Sequence, residues 1–342
     1  MNTNIGMAAP AQIAMGRSAE NKGDNEMARG FYARAAQAGS VEALRLLATN
    51  LLACDPQVIP DGIAMMREAA HRGDAEAAHI CAAIAANDDQ LPNRWNIALD
   101  YLLRAAQLGQ PFAQRQLSML SGDDGSNWTA MRGKIEVDRW LSTPQSQSLS
   151  ESPIIRSYAG FLPPQFCDWI IERSRDRTQP ATVVMPETGA GNRMELTRNN
   201  SHAGFSLVEC DVILMLTRAR ISALSGLPPQ GLEWPMALHY LVGEEYKPHY
   251  DFYDTASPNL QKKVDQSGQR VATFLIYLNE DFDGGHTEFP KLDISFRGRK
   301  GDGLLFFNVE NGKPDARTLH AGRAPTRGEK WLYSQWIREP KI

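Results

Sequence analysis

Residues 240–252 read Tyr-Leu-Val-Gly-Glu-Glu-Tyr-Lys-Pro-His-Tyr-Asp-Phe, centred on the triplet His249-Tyr250-Asp251. On a β-strand, residues i and i+2 point to the same face. One short strand here therefore offers an imidazole and a carboxylate to a single cation. A third donor from elsewhere in the chain would complete a 2-His-1-carboxylate set, which suits Fe(II) and leaves coordination positions open.

The flanking sequence has the texture of a β-domain. Short apolar runs at Trp234–Val242, Val271–Asn279, Gly303–Asn308 and Trp331–Ile337 are separated by Gly, Pro, Asp and Asn. Pro164–Arg175 and Leu207–Leu224 show helical spacing of apolar residues instead. Helices followed by many short strands predict an α+β unit, either a β-sandwich or a jelly roll (double-stranded β-helix), with helices packed on one face.

Further out, the first third of the chain repeats itself. Phe31-Tyr-Ala-Arg-Ala-Ala-Gln-Ala-Gly39, Met65-Met-Arg-Glu-Ala-Ala-His-Arg-Gly73 and Tyr101-Leu-Leu-Arg-Ala-Ala-Gln-Leu-Gly109 place their glycines 34 and 36 residues apart. Such periods mark stacked helical hairpins. Each glycine suits a left-handed helix end. Ser40 and Asp74 suit the following N-caps, and Pro111 suits a first helical turn. Trp128–Leu141 reads as one further helix, and 142–153 as a polar, proline-bounded linker. The expected organisation is multidomain: all-α helical-hairpin repeats over 1–141, a linker over 142–153, and the β-domain over 154–342.

Composition sets wider limits. The 342 residues are 42% apolar and 22% charged with net charge −4, so no global basic face suggests nucleic acid. No run of 18 apolar residues suggests a membrane span, and the N-terminus makes a poor signal peptide. Cys54, Cys81, Cys167 and Cys210 form no C-x-x-C pair and read as buried thiols in a reducing compartment. A cytoplasmic location is expected by elimination. No oligomeric state is assigned.

Two family resemblances follow from these motifs. Residues 22–120 resemble SEL-one-like repeats of the tetratricopeptide type. Residues 153–342 resemble the prolyl 4-hydroxylase family of 2-oxoglutarate oxygenases, through an ordered series: Tyr240-x-x-Gly, Pro-His249-x-Asp251, Arg270-Val-Ala-Thr-Phe-Leu-Ile-Tyr-Leu-Asn279, Gly284-Gly-x-Thr-x-Phe-Pro290, Lys300-Gly-Asp-Gly-Leu-Leu-Phe306, His320, and Lys330-Trp331. The resemblance implies His249, Asp251 and His320 as iron ligands and Lys330 as the partner of the distal 2-oxoglutarate carboxylate. It implies Tyr240 as a hydrogen-bond donor to the cosubstrate, with Thr273 helping to hold the same carboxylate. Fe(II), 2-oxoglutarate and dioxygen are the implied cofactors, with ascorbate as an accessory reductant. Relatives that halogenate lack the carboxylate, so Asp251 favours hydroxylation.

His286-Thr-Glu288 is a second His-x-carboxylate, but it falls in the Gly-Gly-x-Thr-x-Phe-Pro segment and is not expected to bind metal. His239 should face away from Tyr240. For substrate, Arg198, His202 in a polar loop, and Trp336 as pocket wall are the candidates. Pro186–Gly204 and Thr255–Gln269 read as irregular lids. The expected activity is hydroxylation of prolyl residues in a peptide or protein, coupled to decarboxylation of 2-oxoglutarate to succinate, with the repeats recruiting the polypeptide. Neither nucleic acid nor membrane is an expected partner. Two other classes stay open: a hydroxylase of a free amino acid or small metabolite, and a repeat-based adaptor whose second domain senses oxygen or 2-oxoglutarate.

Overall fold

The computed structural model describes residues 8–54, 59–181 and 198–339. The chain divides into two compact units, Met1–Val137 with Ser206–Leu216, and Asp138–Phe205 with Thr217–Ile342. The first unit thus includes a segment far along the chain from the repeats.

Nine helices open the described chain: α1 Ala9–Asn21, α2 Asn25–Gln37, α3 Val41–Cys54, α4 Ile59–His71, α5 Ala75–Asn87, α6 Arg94–Gln107, α7 Pro111–Ser121, α8 Trp128–Lys134 and α9 Val137–Leu141. The repeat signature marks hairpin turns between α2 and α3, α4 and α5, and α6 and α7. Gly39, Gly73 and Gly109 all have φ near +90° (95, 93 and 89°). At the first turn, Gly39 N donates to Ala36 O and Ser40 N to Ala35 O, so the paired alanines supply the carbonyls of a Schellman closure. Ser40 and Asp74 cap the next helices, accepting from Ala43 N and Ala77 N. A guanidinium then recurs at the same period. Arg72 donates to Gly39 O, and Arg104 to Ala70 O and His71 O, meeting the negative ends of helices one repeat earlier. The stretch read as one last helix is broken between α8 and α9.

The second unit carries β1 Gln147–Glu151, β2 Ile154–Tyr158, α10 Pro164–Arg175, β3 Gln179–Pro180, β4 Ser201–Gly204, α11 Val212–Ser225 (whose first residues belong to the first unit), β5 Met236–Tyr240, β6 Tyr246–His249, α12 Pro258–Ser267, β7 Arg270–Tyr277, β8 Asp283–Gly284, β9 Thr287–Phe289, β10 Ile294–Phe296, β11 Gly303–Phe307, β12 Val309–Glu310, β13 Lys313–Pro314, β14 His320–Gly322, β15 Pro325–Arg327 and β16 Lys330–Arg338. An eight-stranded sheet runs β1-β2-β11-β7-β16-β5-β4-β3, and a four-stranded sheet runs β10-β9-β14-β6. Among the described residues every pairing in these sheets is antiparallel. The core joins Leu238, Tyr240, Leu275, Tyr277, Phe306 and Leu332 of the large sheet with Phe289 of the small one. This is the jelly roll.

Three expectations are corrected here. Residues 147–151, assigned to the linker, form the edge strand β1; their single apolar residue, Leu149, masks a strand that exists by pairing with β2. Thr255–Gln269 is not irregular but holds α12, which starts on Pro258 and stops at Gly268. Of Pro186–Gly204, residues up to 197 lie outside the described ones, and the rest includes β4.

In the first unit, Gln116 is fully buried; its Nε2 donates to His79 Nε2 at 2.7 Å and its Oε1 accepts from Val212 N at 3.1 Å. Gln116→Leu leaves an imidazole nitrogen and a helix N-terminal amide buried and unpaired. It should destabilise the protein by about 1–3 kcal/mol, read from urea unfolding followed by helical circular dichroism. An unchanged midpoint would remove this bridge from the account.

Candidate metal centre

His249 ends β6, the outer strand of the small sheet, where the missing N–H of Pro248 is tolerated. His320 opens β14 and pairs directly with His249 across the ladder. Asp251 lies in the bend just after β6, so the His-x-Asp triplet straddles a strand end and does not lie within one strand. One donor atom from each of the three residues lies within 4.8 Å of the others, and no other such group occurs among the described residues. His249 Nε2 is 3.7 Å from Asp251 Oδ1, and His320 Nε2 is 3.5 Å from Asp251 Oδ2. His286 stands outside the group, as expected.

The tautomers follow from the hydrogen bonds. His249 Nδ1 meets Lys247 O at 2.8 Å and His320 Nδ1 meets Thr318 O at 3.0 Å. A carbonyl only accepts, so both Nδ1 atoms carry the proton and both Nε2 lone pairs face the cluster. Burial pushes the His249 imidazole down to about 3, reinforced by His320, which keeps it neutral. Burial opposes charge on Asp251, but His320 and then His249 hold its carboxyl below the usual range. Two imidazoles with Nε2 turned inward and one carboxylate, already converged, fit a divalent iron.

Lys330 begins β16 directly opposite Tyr240 on β5. It is fully buried, and its Nζ has no hydrogen-bond partner. The ammonium lies 4.9 Å from the Tyr240 ring centroid and 5.5 Å from that of Tyr277, an aromatic lodging that offsets part of its desolvation. Burial brings its pKa down to about 7. Gly285, at φ +65°, makes room: a Cβ there would stand 2.7 Å from the Phe282 ring and 3.1 Å from Lys330 Cδ. A small cavity is lined by His249, Asp251, His320, Tyr240, Thr287 and the apolar Leu238, Leu275 and Leu332. A buried cation with no counter-charge, beside a cavity whose wall holds a metal-donor set, lacks an anion.

The remaining expected site residues fall less evenly. Tyr240 lines the cavity. Thr273 does not serve the Lys330 end; its hydroxyl donates to Asp251 Oδ2 at 2.7 Å, because register places it beside Trp336 and Phe306, away from Lys330. The cavity threonine is Thr287, which sequence reasoning passed over although Gly-Gly-x-Thr was quoted. Trp336 lines both the cavity and an adjoining groove, its ring covered by Arg270 at 3.6 Å. Arg198 is buried, stacks over Tyr246 at 4.6 Å and has NH2 unpartnered, so it is no surface ion pair. His202 is on β4, not in a loop; it lines the groove with its Nδ1 unpartnered. His239 faces away from the site, as expected, stacking on Trp331 and meeting Glu329 at 2.8 Å.

Residues 235–338 match the family model described as the 2OG-Fe(II) oxygenase superfamily. Prolyl 4-hydroxylase 1 of Arabidopsis thaliana is 32% identical over 246 residues, covering 64% of this chain and 83% of the relative. The chain belongs to the prolyl 4-hydroxylase family of 2OG-Fe(II) oxygenases. Probable prolyl 4-hydroxylase 6 of the same plant is 32% identical over 55% of this chain and 70% of its own length. Among solved structures, a viral collagen prolyl hydroxylase from Paramecium Bursaria Chlorella virus-1 is 27% identical, with TM-score 0.42 over 54% of this chain and 96% of that one. The oxygenase is thus a 2-oxoglutarate-dependent dioxygenase, and membership implies Fe(II), 2-oxoglutarate and dioxygen. No described helix is long and apolar enough to cross a membrane.

The Lys330 site has a consequence for stability. In the ligand-free fold the ammonium loses its proton near pH 7, whereas in the unfolded chain it holds it to 10.5. Between those values unfolding takes up a proton, so stability rises with pH. Lys330→Met should abolish that rise, stabilise the ligand-free oxygenase at pH 7 by about 1–4 kcal/mol, and eliminate protection by 2-oxoglutarate. Urea unfolding at pH 7 and pH 9 with and without 2-oxoglutarate checks all three; a less stable variant still protected by 2-oxoglutarate would contradict the assignment.

Proposed function

We propose that this oxygenase hydroxylates prolyl residues of a peptide or protein, coupling each hydroxylation to decarboxylation of 2-oxoglutarate to succinate. The observation that carries the reading is the unpartnered, buried ammonium of Lys330 beside a cavity whose wall presents His249, Asp251 and His320. These three residues would hold Fe(II). Iron bound there supplies the dioxygen chemistry that oxidises 2-oxoglutarate to succinate and carbon dioxide and replaces a substrate C–H by C–OH.

The protein groups do the binding and shielding. Lys330, with the hydroxyl of Tyr240, would take the distal carboxylate of 2-oxoglutarate through charge-assisted hydrogen bonds. Leu238, Leu275 and Leu332 keep water from the cosubstrate's methylenes. Outside, the groove wall is rich in aromatic side chains: Tyr246, Tyr250, Phe252, Tyr253 and Trp336. Grooves lined this way suit an extended, proline-bearing chain, whose polyproline II shape is already stiff. Arg198 NH2 and His202 Nδ1 then serve the peptide's carbonyl groups, which would supply the partners those atoms lack. The relatives named prolyl 4-hydroxylase support the choice of proline. In this reading the helical repeats recruit the polypeptide, ascorbate keeps the iron reduced, and the enzyme works in a reducing cytoplasm, in line with the free, buried thiols of Cys81 and Cys167.

The test is a mass-spectrometric screen of proline-containing peptides and free proline for an added oxygen atom, with succinate measured in parallel. Peptide products from wild type and none from His249→Ala are expected, with that variant's Fe(II) binding lost. Turnover of free proline alone would overturn the polypeptide reading. Deleting residues 1–137 is not a clean probe of the repeats, because Ser206–Leu216 belongs to the same unit.

A further inference from the structure

We propose that Asn308 and Thr273 form a directed relay that positions the Asp251 carboxylate for metal binding, with Thr273 a positioning residue and no ligand of the cosubstrate. The inference rests on the reading of His249, Asp251 and His320 as the metal's holders.

The relay lies wholly inside the second unit. Thr273 is on β7 and 1% exposed, and Asn308 directly follows β11 and is fully buried. Asn308 Nδ2 donates to Thr273 Oγ1 at 3.1 Å, and Thr273 Oγ1 donates to Asp251 Oδ2 at 2.7 Å. The direction follows from proton counting. An amide nitrogen has only protons to give, and a hydroxyl has one. With a lone pair engaged by Asn308, the hydroxyl proton points at the carboxylate. Turning the amide over would set two acceptors, the amide oxygen and Asp251, on that single proton. The observed orientation leaves Asn308 Oδ1 buried without a partner, so what Nδ2 donates to decides how the side chain sits. The backbone of Asn308 is itself pinned, its N donating to Val271 O at 2.8 Å and its O accepting from Asp315 N at 2.9 Å.

The effect falls on a group whose freedom matters. Asp251 stands outside the strand, in a bend, so no ladder hydrogen bonds orient it. The charge-assisted bond from Thr273 is the one its side chain accepts among the described residues. It restrains rotation of the carboxylate and favours its ionised form. The two imidazoles are each held by a carbonyl; Thr273 does for the carboxylate what those carbonyls do for the rings.

The test uses the full chain and Co(II) or Fe(II) alone, titrated anaerobically and followed by Co(II) absorbance. Thr273→Val should weaken metal binding about 10–100-fold, Thr273→Ser should restore it to near wild type, and Asn308→Ala should weaken it in the same direction by less. If Thr273→Val fails to fold, Asn308→Ala carries the decision. Unchanged Co(II) affinity in both Thr273→Val and Asn308→Ala would overturn the proposal. So would a Thr273→Val protein that binds Co(II) normally but loses 2-oxoglutarate, which would return the hydroxyl to the cosubstrate. A wild type that binds neither metal would instead bring down the ligand reading, and the relay with it.

Discussion

Everything in the β-unit is arranged around an ammonium group that water cannot reach. Lys330 is fully buried between two tyrosine rings with no hydrogen bond and no counter-charge. Holding a cation there opposes folding, since desolvation disfavours the charged form. The jelly roll bears that penalty with a broad apolar core drawn from both of its sheets. In the proposed reading, a carboxylate of 2-oxoglutarate would bring the missing charge, so that binding would relieve the desolvation of Lys330.

The candidate metal donors depend on a different constraint, the pairing of β6 with β14. Antiparallel register sets His320 opposite His249 across sequence far apart, and a carbonyl behind each ring selects its tautomer. The ladder supplies two of three donors with fixed geometry. The third, Asp251, falls where the ladder ends and needs side-chain support instead. Thr273, backed by Asn308, is the side chain that meets it, and both are deeply buried.

Much of this was readable in the chain. The hairpin repeats announced themselves because each Ala-Ala-x-x-Gly stretch encodes a complete local closure: two carbonyls, a left-handed glycine and a cap all lie within six residues. His249 and Asp251 were legible as a His-x-Asp pair, although the pair straddles a strand end, and His320 and Lys330 through the order of family motifs. Other features left little trace. Strand β1 is mostly serine, glutamine and glutamate, and exists because β2 pairs with it. Helix α12 is polar on most of its surface, with Leu260 as its one buried residue. His202 reads as loop from its polar neighbours but sits in β4, paired with Leu238 of β5.

Sequence alone determined the repeat hairpins, the apolar core strands and the chemistry on offer, since helix closure, strand alternation and the identity of a donor are properties of neighbouring residues. Tertiary structure alone decided which hydroxyl faces which charge. Thr273 and Thr287 are equivalent by composition, yet one meets Asp251 and the other lines the cavity. The difference comes from strand register, which depends on partners scores of residues away, and a shift of one residue would turn every side chain to the opposite face.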